Sequence, residues 1–559
     1  MRVFSTPKAT AQLADGQVWL RRQTPALAAA ILFTIQALLL LPYPGLQNDE
    51  ALFGSLIYEP RNLEYFVQVF KHRIPLMAIS YLGGLKSLLY AGIFALWPPS
   101  LASVRVPVIA VGAATVWLFV RLLDALLGRR AAWVGGLLLA ADTSFLLTTT
   151  FDWGPVALQH LLLLGGLTLL VRFYRTRANW TLALATFLFG LGLWDKAVFI
   201  WTLSGASVSA LILLRPQLKQ LFSRRRLLLG AMGLAVGAAP LIVFNLRYHG
   251  QTFQHARYTS ADIKNKARLL KSSLDGSSLF GYLTREDDGR RREDPPRLGE
   301  RLCLCLSQLA GRPRKNLMLP VLVLSLASLV WLRGAERKAV LFGLIAFLVA
   351  WPQMALNQGT GGSTHHAVLL WPIPHLIVAA GLSGLSYRLP CARRMFPAAI
   401  TALVVGSNLL VTNEYLAQFI RHGAGSAWTD AIASLAGRLE ATPKASIVVA
   451  DWGILDSLRL LAAGRLRLYQ AIDIASKPSL ESQDRLALRW LLGLPDPLFV
   501  LHTPAEEAIP GSGARLAAHA SRLGYARQLL FTVRDRYRRP IFEVCRFRPT
   551  SAPSPPWLR

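Results

Sequence analysis

The chain has 559 residues, 53% hydrophobic and only 16% charged, yet 61 Lys and Arg face 31 Asp and Glu for a net charge of +30. Disordered chains carry low hydrophobicity and nucleic-acid binders wrap a basic surface around a soluble core, so both classes are excluded. A mean hydropathy of +0.38 leaves a polytopic membrane protein whose positive charge has a topological role.

In chain order, apolar runs near the ~20 residues that cross hydrocarbon fall at 25–43, 104–127, 131–149, 154–171, 180–194, 196–214, 227–246, 317–332, 339–356, 367–387 and 396–412. The stretch 76–97 is a twelfth candidate, and the basic residues decide against it, because short cytoplasmic loops collect Lys and Arg. With 76–97 left out, one side receives Arg2, Lys8, Arg21 and Arg22, then Arg129 and Arg130, then Arg172, Arg175 and Arg177. The same side receives Arg215, Lys219 and Arg224 to Arg226, then Arg333, Arg337 and Lys338, then Arg388, Arg393 and Arg394. Counting 76–97 as a span inverts the later loops and breaks the bias.

The expectation is therefore an all-α polytopic bundle of about eleven spans, N-terminus cytoplasmic and C-terminal domain extracytoplasmic. The stretch 76–97, interrupted by Gly83, Gly84 and Lys86, is expected as helices at the outer interface. The N-terminal tail has no small-residue cleavage site before its Leu-rich span and is expected to be a signal anchor. Residues 1–412 form the membrane domain, with outer loops 44–103 and 247–316, and 413–559 the external domain. That tail alternates strand-like runs (Ile447–Ala450, Leu498–Leu501, Gln528–Val533, Ile541–Phe547) with helix-like ones (Asp456–Ala463, Ser482–Leu492, Ala514–Leu523). The pattern predicts a small α/β domain, followed by a Pro-rich disordered end at 551–556.

Acidic residues are scarce near the membrane, so their positions carry information. Asp49 and Glu50 follow span one, Asp152 sits in Phe151-Asp152-Trp153-Gly154 between spans three and four, and Asp195-Lys196 links spans five and six. The topology places all of them on one outer face. Such carboxylates can act as a general base, a metal site or a cation path, or simply mark water-exposed turns. Lys71, His72, Arg73, Arg105 and Lys196 gather on the same face, where they suit a phosphate at headgroup depth or anionic lipid headgroups. In the long loop, Arg290 to Arg292 stand among Glu286, Asp287, Asp288, Glu293 and Asp294 and read as a solvated mixed-charge segment. His365 and His366 open span ten after Gly359-Thr-Gly-Gly-Ser-Thr364. Adjacent histidines point about 100° apart on a helix and make poor joint metal ligands. With Asp195 they read as substrate-binding groups, or as structural ones. The four cysteines, Cys303, Cys305, Cys391 and Cys545, form neither a disulfide framework nor a zinc site; Cys303 and Cys305 read as packing, with metal binding or pairing as the alternative.

These residues resemble the GT-C superfamily of integral membrane glycosyltransferases, in the branch of protein O-mannosyltransferases and the lipid A aminoarabinose transferase. The resemblance covers roughly 25–215 and rests on the order of short motifs. They are Asp49-Glu50, Arg73-Ile74-Pro75-Leu76, Arg105-Val106-Pro107, Asp152, and Gly190-Leu191-Gly192-Leu193-Trp194-Asp195-Lys196. Two departures are Arg73-Ile74 where Lys-Pro is usual and His365-His366 where Arg-Tyr is common. The resemblance implies a sugar donor on a polyprenyl phosphate, a lipid, glycan or protein acceptor, membrane lipids around the bundle, and no nucleic acid. It implies inverting single displacement with Asp49 as base, and Glu50 and Asp152 orienting the acceptor or the base. Arg73, Arg105, Lys196 and Lys71 would contact the leaving phosphate. Metal use varies across that superfamily and no ligand set is fixed here, so a divalent metal stays open. A lipid-linked glycan polymerase or ligase shares the donor type; a secondary transporter would instead show repeated halves. No eukaryotic targeting signal is seen, which points to a bacterial plasma membrane.

Overall fold

The computed structural model describes the chain except residues 1–6, 59–64, 70–71, 152, 222, 255–257, 293, 389–394, 443 and 551–559, and the side chains of 7–22, 69, 72 and 73. The Pro-rich end, Asp152, Lys71 and Cys391 therefore lie outside the described residues, as do the side chains of His72 and Arg73.

Among the described residues, five helices are long and apolar enough to cross a membrane: Gln23–Leu40, Leu101–Leu127, Val156–Thr176, Gly334–Leu356 and Met395–His422. Four further segments are pairs of helices bent at a short break, which raises the number to as many as nine. Asn179–Asp195 and Met318–Val330 are shorter apolar helices. Every apolar run in the sequence overlaps one of these helices or pairs, while the count of eleven stays an expectation.

Local chemistry explains the breaks. Run 131–149 divides into Arg129–Ala141 and Thr143–Thr150, bent by 56°, because the Asp142 side chain accepts from Phe145 N at 2.7 Å and caps the second helix. The cap is anchored across the bundle by His375 Nε2, 3.2 Å from Asp142 Oδ2. His375 belongs to the other bent pair in this region, Thr364–Leu370 with Ile373–Arg388. Both bends are thereby pinned at one buried contact.

The stretch 76–97 differs from expectation. Strands β1 (Tyr65–Val69), β2 (His72–Ile79) and β3 (Leu82–Gly83) form a small antiparallel sheet, and only Leu85–Leu96 is helical. Pro75 cannot donate within a helix, and Gly83 lets the sheet edge meet the Asp195-Lys196 link. A Cβ on Gly83 would stand 1.9 Å from Trp194 O. Trp194 Nε1 donates to Leu76 O at 2.8 Å and Ala197 N to Tyr81 O at 3.0 Å, closing the junction.

The C-terminal region carries the expected α/β sheet. Strands β4 (Ser446–Val449), β5 (Arg467–Gln470), β6 (Pro497–His502), β7 (Tyr525–Arg534) and β8 (Pro540–Pro549) run in the order β5-β4-β6-β8-β7. The β4 pairs are parallel and the β8 pairs antiparallel. Only β5, four residues with a mostly polar surface, lacked a hydrophobic signature. Side chains alternate between the sheet faces: Val448, Phe499 and Cys545 pack with helix Ser482–Leu492, whereas Ile447, Val500 and Val544 face the first loop. That second core is shared with Leu46, Phe53, Tyr90 and Phe94, so the sheet is built onto the bundle.

The long loop is also less solvated than its charges suggest. Arg539 holds Asp288 (2.6 Å) and Asp535 (3.0 Å), Arg292 holds Glu300 (2.9 Å), and Arg285 pairs with Glu506 of the C-terminal region. Arg290 and Arg291 remain exposed as expected.

Candidate active site at one end of the bundle

The short helix Asn48–Ser55 organises the site. Gln47 caps it, its Oε1 accepting from Asp49 N (2.6 Å) and Glu50 N (3.3 Å). The two adjacent acids then diverge. Glu50 is fully buried and receives Arg105 Nε at 2.6 Å and Nη2 at 2.8 Å. Arg105 spends its remaining donors on Leu41 O, Pro44 O and Gly45 O and stacks over Phe151, 4.9 Å from the ring centroid. Its guanidinium is wholly enclosed. This pair locks the turn after the first span and sets the direction of the helix.

Asp49 is partly exposed. Trp153 Nε1 donates to its Oδ2 at 3.3 Å. Burial pushes the Asp49 carboxyl above the ordinary aspartate value, with the Trp153 hydrogen bond, the Lys196 charge and Gln47 pulling the other way. Its charge is felt by Tyr81 and Tyr282, whose hydroxyls are raised first by burial and then by Asp49; Tyr282 is pushed up to about 12.

Two buried ammonium groups stand at this site, and the charge of one, Lys196, acts on this carboxylate. Lys196 is the link residue before the helix that starts at Ala197, and Lys86 rises from helix Leu85–Leu96. Lys86 Nζ donates to Gly154 O at 3.3 Å and lies 4.5 Å from the Phe53 ring centroid. A Cβ on Gly154 (φ +66°) would stand 3.8 Å from Lys196 Nζ and 3.5 Å from the His365 ring. Both cations thus gather at one glycine. Lys196 has no hydrogen bond or ion pair from its ammonium to any described residue. Burial pulls it down to about 8, opposed by Asp195 and Asp49 and assisted by Lys86.

His365 packs on Trp153 with centroids 4.5 Å apart and on His366 at 4.1 Å. Both histidines are buried, and neither Nδ1 has a hydrogen-bond partner among the described residues. Asp195 is buried, accepts from Gln159 Nε2 at 3.1 Å, and its charge acts on the neighbouring Lys196 ammonium.

The geometry therefore brings together Asp49, Lys196 and His365, with His366 behind. It pairs Glu50 and Arg105 with each other. Asp152, Lys71 and the Arg73 side chain fall outside the described residues. Sequence reasoning missed Lys86, Trp153, Tyr282 and Asp456. Lys86 had a signal, being the lone charge in an apolar stretch where charge is expensive. Asp456 had none: it reaches the site only through the C-terminal fold, its N–H directed to Asn48 Oδ1 (3.3 Å) and its carboxylate accepting from Ser55 Oγ and Arg459 Nη1, both at 2.8 Å. Among the described residues no group of three His, Cys, Asp or Glu side chains is arranged to hold a metal ion.

The bundle of apolar helices, the short helix after the first of them and the sheet docked on that short helix share the fold of GT-C glycosyltransferases of known structure. In particular, the chain is similar to the lipid A aminoarabinose transferase ArnT of Cupriavidus metallidurans bound to undecaprenyl phosphate. That likeness has 14% identity, covers 95% of this chain and 98% of that one, and has a TM-score of 0.55. Weaker likenesses are the Archaeoglobus fulgidus oligosaccharyltransferase (12% identity, 90% and 69% covered, TM-score 0.45) and the mycobacterial arabinofuranosyltransferase AftD (14%, 95% and 42%, 0.47). No family model and no curated protein matches the sequence.

Proposed function

We propose that this protein transfers a sugar from a polyprenyl-phosphate donor to an acceptor hydroxyl on a glycan, lipid or protein, at the outer face of a bacterial plasma membrane. The observation that carries the reading is the pair of buried ammonium groups at Gly154, set against a partly exposed carboxylate of raised pKa. A fold shared with a protein that binds undecaprenyl phosphate supports the donor class.

In the proposed step Asp49 takes the proton of the acceptor hydroxyl while its oxygen attacks the anomeric carbon from the face opposite the phosphate. The bond from that carbon to the phosphate oxygen breaks, and its electron pair leaves with the lipid phosphate. Lys196 and Lys86 stabilise that charge where it develops, the form of electrostatic help that costs no reorganisation during reaction. Glu50 and Arg105 act through position, holding the helix that presents Asp49. Arg73, Lys71 and Asp152 keep the roles that the resemblance gives them, leaving-phosphate contacts and acceptor orientation. His365 and His366 offer hydrogen bonds to the substrate.

Asp49→Asn keeps the size and removes the base. Sugar transfer assayed in membranes with matched protein levels should fall by about 10²- to 10⁴-fold, the range for a positioned general base, with donor binding retained. Unchanged transfer overturns the assignment. Glycans extracted from cells lacking the protein should miss a single sugar; uniformly shortened chains would instead indicate a polymerase.

A further inference from the structure

Helix Leu298–Leu309 lies in the long loop, outside the site. One face is fixed to the bundle. Glu300 accepts from Tyr43 OH (3.1 Å) and from Arg292 (2.9 Å), Cys303 and Asn413 exchange hydrogen bonds, and Ser307 donates to Glu414. These contacts fix the rotation of the helix about its axis, and the opposite side is left uncovered by the described residues. That side carries Leu298, Leu302, Leu306 and Leu309, exposed by 77%, 64%, 45% and 80%, together with exposed Cys305. At 3.6 residues per turn the five side chains occupy an arc of about 100°. Arg301 and Gln308 flank the stripe on its polar border, both exposed.

The level of the helix is set by what it touches. Tyr43 stands three residues beyond the first span, which ends at Leu40. Asn413 and Glu414 lie within helix Met395–His422, just past its apolar run 396–412. The span Met318–Val330 begins nine residues after the helix ends, and its own flank at Val323, Leu324 and Val330 is exposed and apolar. The leucine stripe therefore stands beside the end of the first span and the polar end of the last apolar run. Exposed Arg297, Arg312 and Lys315 border it, as cations border helices that lie in anionic interfaces.

We propose that Leu298–Leu309 is an interfacial helix whose leucine stripe is sunk into the lipid boundary at the site end of the bundle. Its occupant is the bilayer itself, and the proposal is independent of the sugar chemistry.

Cys305 supplies the probe, because Cys303 and Cys545 are buried. In the full chain carrying Cys391→Ser, bimane attached to Cys305 is followed in vesicles of phosphatidylcholine and phosphatidylglycerol. Lipids with a nitroxide high on the acyl chain should quench it about twofold or more, the depth being about 5–10 Å, while aqueous iodide quenches little. A label at Gln308→Cys, on the polar border in a Cys305→Ser background, should show the reverse preference. Iodide quenching of Cys305 without nitroxide quenching overturns the proposal, and so does disulfide crosslinking of Cys305 between two copies in place of lipid quenching.

Discussion

Lys196 carries its charge under strain from burial, which pulls its ammonium down to about 8, and the Asp49 carboxyl is displaced the opposite way by the same cause. A base must be deprotonated and an anion-binding ammonium protonated, so the proposed chemistry is lost as pH falls through the raised Asp49 value and as it rises through that of Lys196. The kcat/KM profile should therefore be bell-shaped with an alkaline limb near 8, and Lys196→Arg, whose charge persists at high pH, should remove that limb while the acid limb stays. An alkaline limb that ignores the substitution would assign it elsewhere. Glu50 and Arg105 predict a different behaviour. Each is wholly buried and satisfied by the other, so Arg105→Met strands a buried carboxylate at a cost of about 3–5 kcal/mol. The expected readout is a large drop in the temperature at which the detergent-solubilised protein loses its fold, partly recovered by adding Glu50→Leu. Sequence alone marked Asp49 and Lys196 because charge at a membrane boundary is rare. It could not tell that the neighbouring Glu50 faces inward, since that depends on Arg105, 55 residues away.

At the scale of elements, the decisive junction is the sheet β1–β3 against the link at Asp195-Lys196. Alternation and apolarity over 76–97 fit a helix as well as a strand, and short apolar runs leave that choice to tertiary partners. The partners here are backbone groups of Trp194 and Ala197, which Gly83 admits by having no side chain. Gly83→Ala sets a Cβ against a carbonyl oxygen that has no room to yield, so the sheet must separate from the link that carries Lys196. The expected result is a donor KM raised at least tenfold, about 1.4 kcal/mol of binding, with a smaller loss in kcat. A substitution without effect on donor binding would mean that the junction does not position the cation. The spans themselves were legible from hydrophobic length, and the positions of their bends were not. Asp142 and His375 are single polar residues in apolar runs, and that they meet, fixing two bends at once, is a property of packing.

At the scale of the whole molecule, the charge of +30 divides between short loops and the region that joins loop to sheet. There Arg285, Arg292, Arg536 and Arg539 are each matched to an acid. Most of the strand and helix pattern of the C-terminal region could be read directly, because β4 and β6 are short apolar runs buried on both faces, whereas β5 carried no such run. Its docking could not, since Leu46 and Phe53 come into the same core as Ile447 and Val500 only through folding. The fastening is reciprocal: Gly45 N donates to Trp428 O at 2.7 Å, Ser457 Oγ to Leu46 O at 3.1 Å, and Asp456 N to Asn48 Oδ1 across 408 positions of chain. The two halves of this fastening are thus made about 400 residues apart in the chain. The apolar helices up to His422 all precede, in the chain, the residues around Asp456 that steady Asn48–Ser55. A chain stopped after Glu440 should accumulate in membranes yet transfer no sugar, as measured by membrane fractionation beside the transfer assay. Supplying residues 441–559 later as a separate piece should restore little, because a partner that must find its seat by diffusion forfeits the tether.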